Sequence, residues 1–146
     1  MTTIVANHHG MASDSRATGG ATMISVAKFW RVRGWLIGGA GTADEVLDML
    51  EEIKHHKDLT PAEVLAKVDF KKAKDADLLL LSPAGRLYLS EGGGTPMHIT
   101  DPFSAIGSGA QGAMVALHMG ATLQEAVRIV KKVDPFTGGR VITRNL

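Results

Sequence analysis

The chain contains no cysteine, which excludes disulfides, thiolate metal sites and cysteine nucleophiles together. Its leucine run, Leu78–Leu81, is short, and nothing approaches the roughly 20 apolar residues that cross a bilayer. No charged leader followed by an apolar stretch stands at the start, so no secretion signal is visible and a cytoplasmic location is expected. Charge of one sign is also lacking: 16 basic against 15 acidic residues give a net charge of +1. Without a Lys/Arg run there is no case for a nucleic-acid partner. Repeats, linkers and low-complexity segments are absent. What is present is 146 residues, 45% of them hydrophobic, with a mean hydropathy of +0.06. That composition fits one globular domain spanning 1–146, able to bury roughly 68–70% of its unfolded surface.

Glycines cluster at 19–20, 38–41, 92–94, 107–112 and 138–139, marking turns or places of close backbone approach. "TIVAN" (3–7) and "MASDS" flank an "HHG" turn and read as strands. Residues 22–26 look extended, and "WLIGGA" (35–40) reads as a buried strand. Thr42 and Glu45 have the spacing of a capping box opening a helix, with Ala43, Val46, Leu47, Leu50 and Ile53 on one face. Thr60, Pro61 and Glu63 repeat that signature, as do Thr122 and Glu125 before a last helix running to Val133. "ADLLLLS" (76–82) and "RLYLS" (86–90) form a hairpin around "PAG". "FSAIGSG" (103–109) is a strand entering a glycine turn. "AQGAMVALHMG" is a helix stopped by Gly120, and "GGRVITRN" is a closing strand. Strands, a helix pair, strands, a second helix pair and a strand suit two stacked sheets with helices on both outer faces.

The chemistry begins at the second residue. Methionine is commonly trimmed before a small residue, and Thr2 would then expose an α-amine with pKa near 7.7–8.0. That amine can accept the proton of its own hydroxyl, giving a nucleophile with a built-in base. Such a site needs a nearby buried cation to keep the amine's pKa low. It also needs backbone N–H groups as an oxyanion hole.

"TTIVANHHGMASDSRATGG" resembles the start of a mature proteasome β-subunit or of its bacterial relative HslV. "SVAKFW", "IGGAGTADEV", "AIGSGAQGA" and "VDPFTGGRV" resemble later family segments in the family's order, so the resemblance covers essentially the whole chain. It implies an α+β, four-layer αββα sandwich, the N-terminal nucleophile hydrolase fold, and a threonine endopeptidase. Thr2 is then the nucleophile. Asp14 pairs with Lys28, and Ser108, Asp134 and Thr137 hydrogen-bond around the amine. The Ala40 N–H serves the oxyanion, a departure because the family usually has glycine there. Thr18 and Thr42 line the substrate groove, and Gly38 lies where the family's specificity pocket has a larger residue. No metal or cofactor is implied. Unfolded polypeptides are the implied substrates, in homo-oligomeric stacked rings fed by an ATP-dependent unfoldase.

Two alternatives remain open. One is a non-catalytic ring or adaptor protein with Met1 retained. The other is a small amide hydrolase of the same superfamily. The chain looks several tens of residues shorter than typical relatives, and with no propeptide in view, exposure of Thr2 depends on Met1 removal. Asp134 before Pro135 also has the bland reading of a helix stop. The pairs His8–His9 and His55–His56 diverge and are not expected to share a metal. Met114 and Met119 are expected in helix packing, and "KKAKD" (71–75) as a solvated connection.

Overall fold

The computed structural model describes residues 1–19, 21–56 and 60–146; Gly20 of the first glycine cluster lies outside them. In chain order the elements are β1 (Thr3–Asn7), β2 (Gly10–Ser13), β3 (Arg16–Gly19), β4 (Thr22–Ser25), β5 (Phe29–Val32), β6 (Trp35–Gly41), α1 (Ala43–His55), α2 (Pro61–Lys67), β7 (Ala76–Leu81), β8 (Leu87–Ser90), β9 (Met97–Ile99), β10 (Phe103–Gly107), α3 (Ala110–His118), α4 (Leu123–Val130) and β11 (Ile142–Asn145). One antiparallel sheet has the order β10-β1-β2-β11 and the other β5-β6-β7-β8-β9, while β3 and β4 form a separate ribbon.

Strand alternation sorts the apolar residues into three cores. On β1, Ile4 and Ala6 face the second sheet, while Val5 faces α3 and α4. On β7, Leu79 and Leu81 enter the same inter-sheet core, while Leu78 and Leu80 pack under α1. A strand buried on both faces explains why "LLLL" shows no polar alternation. The result is four layers, helix–sheet–sheet–helix, as the sequence led us to expect.

The capping boxes at Thr60 and Thr122 both form, each side chain accepting from the backbone of the glutamate three residues on. The one expected at Thr42 does not. Glu45 instead accepts from the Asp75 N–H at 2.7 Å, and the Thr42 N–H donates to Asp75 O at 3.1 Å. Tertiary pairing thus takes the groups that a local cap would use. The α1 face is also shifted: Val46, Met49, Leu50 and Ile53 are buried, whereas Ala43 and Leu47 are exposed. This i, i+4 pair lines a cleft beside the β6 end rather than the core.

Several boundaries move for local reasons. β2 ends at Ser13, before Asp14 turns inward. α4 ends at Val130, after which Lys132, Val133 and Asp134 make tight turn bonds back to Ile129 and Val130. Met114 packs on the α3–α4 core, but Met119 is 84% exposed past the end of α3. "KKAKD" overlaps a 3₁₀ turn, Phe70–Ala73, that buries Phe70 and Ala73 and leaves Lys72 paired with Glu52 at 2.8 Å. Strands β3, β5 and β9 are short and lack the alternation that would announce them.

Gly39 brings α1 against β6. A Cβ there would lie 2.3 Å from Val46 Cγ1 and 2.6 Å from Cγ2. Gly39→Ala therefore forces helix and sheet apart, and we expect a loss of about 1–3 kcal/mol, read as a lower urea midpoint at unchanged slope.

Candidate active site

The N-terminal residues run along β10, the Thr3 position pairing with Gly107. Gly107 has φ of +96°, and a Cβ on it would fall 1.9 Å from Thr2 O. Only glycine lets the β10 end approach the first residues so closely. Asp14 and Lys28 converge from the β2–β3 connection and the start of β5.

Lys28 Nζ donates to both carboxylate oxygens of Asp14 at 3.0 Å and to the carbonyl of Met1 at 2.7 Å. The two side chains are 5% and 0% exposed. A buried carboxylate needs more than one partner, and Asp14 has them: Thr3 N–H and Gly138 N–H each donate at 3.0 Å. Burial pushes the Lys28 ammonium below the ordinary lysine pKa. Asp14 opposes that shift by hydrogen bond and charge, and the Arg16 cation adds to it.

A second network lies on the other side of the N-terminus. Ser108 Oγ donates to Asp134 Oδ2 at 2.7 Å, and Thr137 Oγ1 donates to the same oxygen at 2.6 Å. Thr3 Oγ1 lies 2.6 Å from Thr137 Oγ1. Since the single Thr137 proton is committed to Asp134, Thr3 must be the donor of that pair. Burial raises the Asp134 pKa, but bonds from Thr137, Ser108 and the Phe136 N–H outweigh it, helped by the positive chain terminus. The carboxyl is held below its ordinary value.

Both networks border a cleft of about 580 Å³ between the β3–β4 ribbon, the β6 end and the first turn of α1. Thr2, Lys28, Ala40, Thr18 and Ser108 are on its wall. Ile24, Val26, Trp30, Val46 and Leu47 make one side apolar. Gly38 is not on this wall. Its missing Cβ points between the sheets, 2.9 Å from Ile4 Cγ2 and 3.2 Å from Met11 Sδ, because strand alternation turns it away from the groove. Thr42 also stands outside the wall, exposed at the N-cap of α1.

The structure thus brings together Thr2, Asp14, Lys28, Ser108, Asp134 and Thr137, with Ala40 and Thr18 across the cleft. Sequence reasoning missed Thr3, whose amide and hydroxyl tie the two networks together, and Arg16, whose guanidinium donates to Pro135 O at 2.5 Å. It also missed the apolar wall. The period-2 register of β1, which buries Thr3, was the one available signal for the first of these. Among the described residues, no cluster of three or more His, Cys, Asp or Glu could hold a metal. His8 instead sets its ring nitrogens 2.7 Å from Gly85 O and 3.0 Å from Asp101 O. Among the described residues, no helix is long and apolar enough to cross a membrane.

No protein-family model and no curated protein matches the chain. Solved structures do. BPH from Thiobacillus denitrificans, in complex with epoxomicin, superposes with a TM-score of 0.78 at 15% identity, over 100% of this chain and 98% of that one. HslV from Trypanosoma brucei gives 0.77 at 21% identity, over 99% of each chain. An Anbu (Gly-1) mutant from Hyphomicrobium sp. strain MC1 gives 0.79 at 15% identity, over 100% of this chain and 82% of that one. At these identities the likeness is one of fold: over its whole length the chain has the N-terminal nucleophile hydrolase fold of the proteasome β-type proteins it resembles.

Proposed function

We propose that this chain is a threonine endopeptidase whose nucleophile is Thr2 once Met1 is removed. The observation that carries the reading is the Lys28 ammonium, buried against Asp14 and delivered to the Met1–Thr2 peptide through Met1 O. Loss of Met1 frees that donor for the Thr2 hydroxyl and exposes the amine. The amine takes the Oγ proton as Oγ attacks the substrate carbonyl. The tetrahedral oxyanion needs a backbone N–H from the Lys28 edge of β6; the Ala40 N–H, expected from the resemblance to serve, points to Asp77 on the β7 edge instead, because the Gly39 N–H donates to Lys28 O and strand N–H groups alternate. The amine then returns the proton to the leaving nitrogen, and an ester acyl-enzyme forms. Water, deprotonated by the same amine, releases the acid and regenerates Thr2. Ser108, Asp134 and Thr137 orient the amine. β3, bonded in its sheet to β4 alone, offers its Thr18 edge for a substrate added as a strand.

An exposed site of this kind has little selectivity of its own. We infer homo-oligomeric, stacked rings that enclose it, unfolded chains as substrates, and an ATP-dependent unfoldase to feed them, in the cytoplasm. A non-catalytic ring or adaptor protein is the second reading, and its mark would be a retained Met1 with no reaction toward electrophiles. A small amide hydrolase is the third, and an assembly far above the 15.5 kDa protomer on a sizing column counts against it.

The test is intact mass before and after incubation with a peptide epoxyketone, which closes a ring on both a threonine Oγ and its free amine. The expected result is a chain lacking methionine that gains one inhibitor. The apolar wall further predicts faster labelling by a reagent ending in leucine than by one ending in aspartate. A chain that retains methionine, or lacks it and still takes no inhibitor, would transfer the case to the non-catalytic reading.

A further inference from the structure

Between Asp14 and Thr18, the arginine of "DSRAT" opens β3 and lies on the cleft wall. Its guanidinium is directed at the turn that follows α4. Arg16 Nη2 donates to Pro135 O at 2.5 Å and to Thr137 O at 3.4 Å. Gly138 lets it come this close, since a Cβ there would fall 2.5 Å from Arg16 Cζ. No ladder provides for these two carbonyls, because α4 ends at Val130 and β11 begins at Ile142. Backbone carbonyls in such a stretch must find donors elsewhere. The turn's amides are already placed. Phe136 N–H donates to Asp134 Oδ1, Thr137 N–H to Asp134 O, and Gly138 N–H to Asp14 Oδ2. Pro135 and Phe136 are exposed, so packing adds little at the tip.

This segment carries Asp134 and Thr137, whose side chains meet Ser108 and Thr3 beside the N-terminus. Misplacing a group at a reacting centre by about 1 Å can cost about 10²-fold in rate. We propose that Arg16 is a positioning residue: it clamps the 134–138 turn to the start of β3 and so holds Asp134 and Thr137 where they orient the Thr2 amine. That role rests on the peptidase reading; the clamp itself does not. The ribbon that carries Thr18 stays anchored without the guanidinium, because Arg16 N–H donates to Gly138 O and Val26 N–H to Ser15 O. Loss of the side chain therefore slows the chemical step and spares substrate binding.

The experiment compares R16Q and R16K with the unaltered chain, all freed of Met1, by turnover of an apolar fluorogenic peptide and by amide hydrogen exchange. In R16Q we expect kcat to fall at least about tenfold with KM within about twofold. Exchange of the Phe136 and Thr137 amides should quicken at least about tenfold while β1 and β7 hold their rates. R16K keeps the charge but not the planar group set against Gly138, so it should stay nearer to R16Q. Unchanged exchange in R16Q overturns the clamp. Faster exchange with unchanged kcat overturns the positioning role. A raised KM at unchanged kcat overturns it too and makes Arg16 a substrate contact. Full turnover in R16K also overturns it and leaves charge as the cause. An unaltered chain without hydrolysis sinks the peptidase reading and the positioning role together, while the exchange rates still decide the clamp.

Discussion

Thr2→Ala should abolish peptide hydrolysis, a fall of at least about 10³-fold, because no other hydroxyl in the cleft carries its own α-amine as base. Alanine is small enough for Met1 to be trimmed, so the free amine, Lys28 and the surrounding bonds all persist. The side chain is partly exposed and makes no hydrogen bond that the fold depends on, so melting temperature and assembly size should stay unchanged. Thr2→Ser keeps a hydroxyl beside the amine and should keep most of the rate. The pair is measured by turnover of an apolar fluorogenic peptide, with mass spectrometry to check that methionine is gone from each. Hydrolysis that survives in Thr2→Ala sinks the mechanism. A Thr2→Ser protein as dead as Thr2→Ala, with methionine absent from both, says the hydroxyl is not the nucleophile.

The four layers were legible because the helix faces and buried strands leave strong marks. Two capping boxes gave helix starts, and "LLLL" gave a strand covered on both faces. The grouping of the candidate site residues was legible for a different reason: they lie inside short ordered motifs, and a resemblance spanning the chain can bring them together even where each is commonplace alone. What escaped was decided by distant partners. Glu45 abandons Thr42 because Asp75 offers its backbone, a neighbour 30 residues away in sequence. Leu47 follows the helical period yet faces the cleft, since periodicity says nothing about where a sheet ends. Gly38 shows the converse, placed by analogy on the groove and turned by β6 alternation into the core. Thr3 looks like a second copy of Thr2, but the strand register buries it and makes it the link between the two polar networks.

Lys28 is where stability and chemistry separate. Lys28→Ala leaves the Asp14 carboxylate buried with only two amide donors, and breaking such a pair costs about 3–5 kcal/mol. Lost activity in that variant alone could therefore be lost fold. D14N/K28M removes both charges but sets the new side-chain NH2 against the Thr3 or Gly138 N–H, so it should recover only part of the stability while remaining at least about 10²-fold less active. That split places the loss in the cation's effect on the Thr2 amine rather than in packing. The pH profile gives an independent reading. In the unaltered protein the rate should climb as the amine loses its proton, a loss that the Lys28 cation favours and the Asp134 carboxylate opposes. It should fall again as Lys28 itself deprotonates. Since burial lowers that pKa, the alkaline limb should lie below the ordinary lysine value of about 10.4. In D14N/K28M the residual activity should keep its acid limb, moved to higher pH, and lose the alkaline one. An unchanged acid limb would mean that Lys28 does not tune the amine, and full turnover in D14N/K28M would remove it from the mechanism altogether.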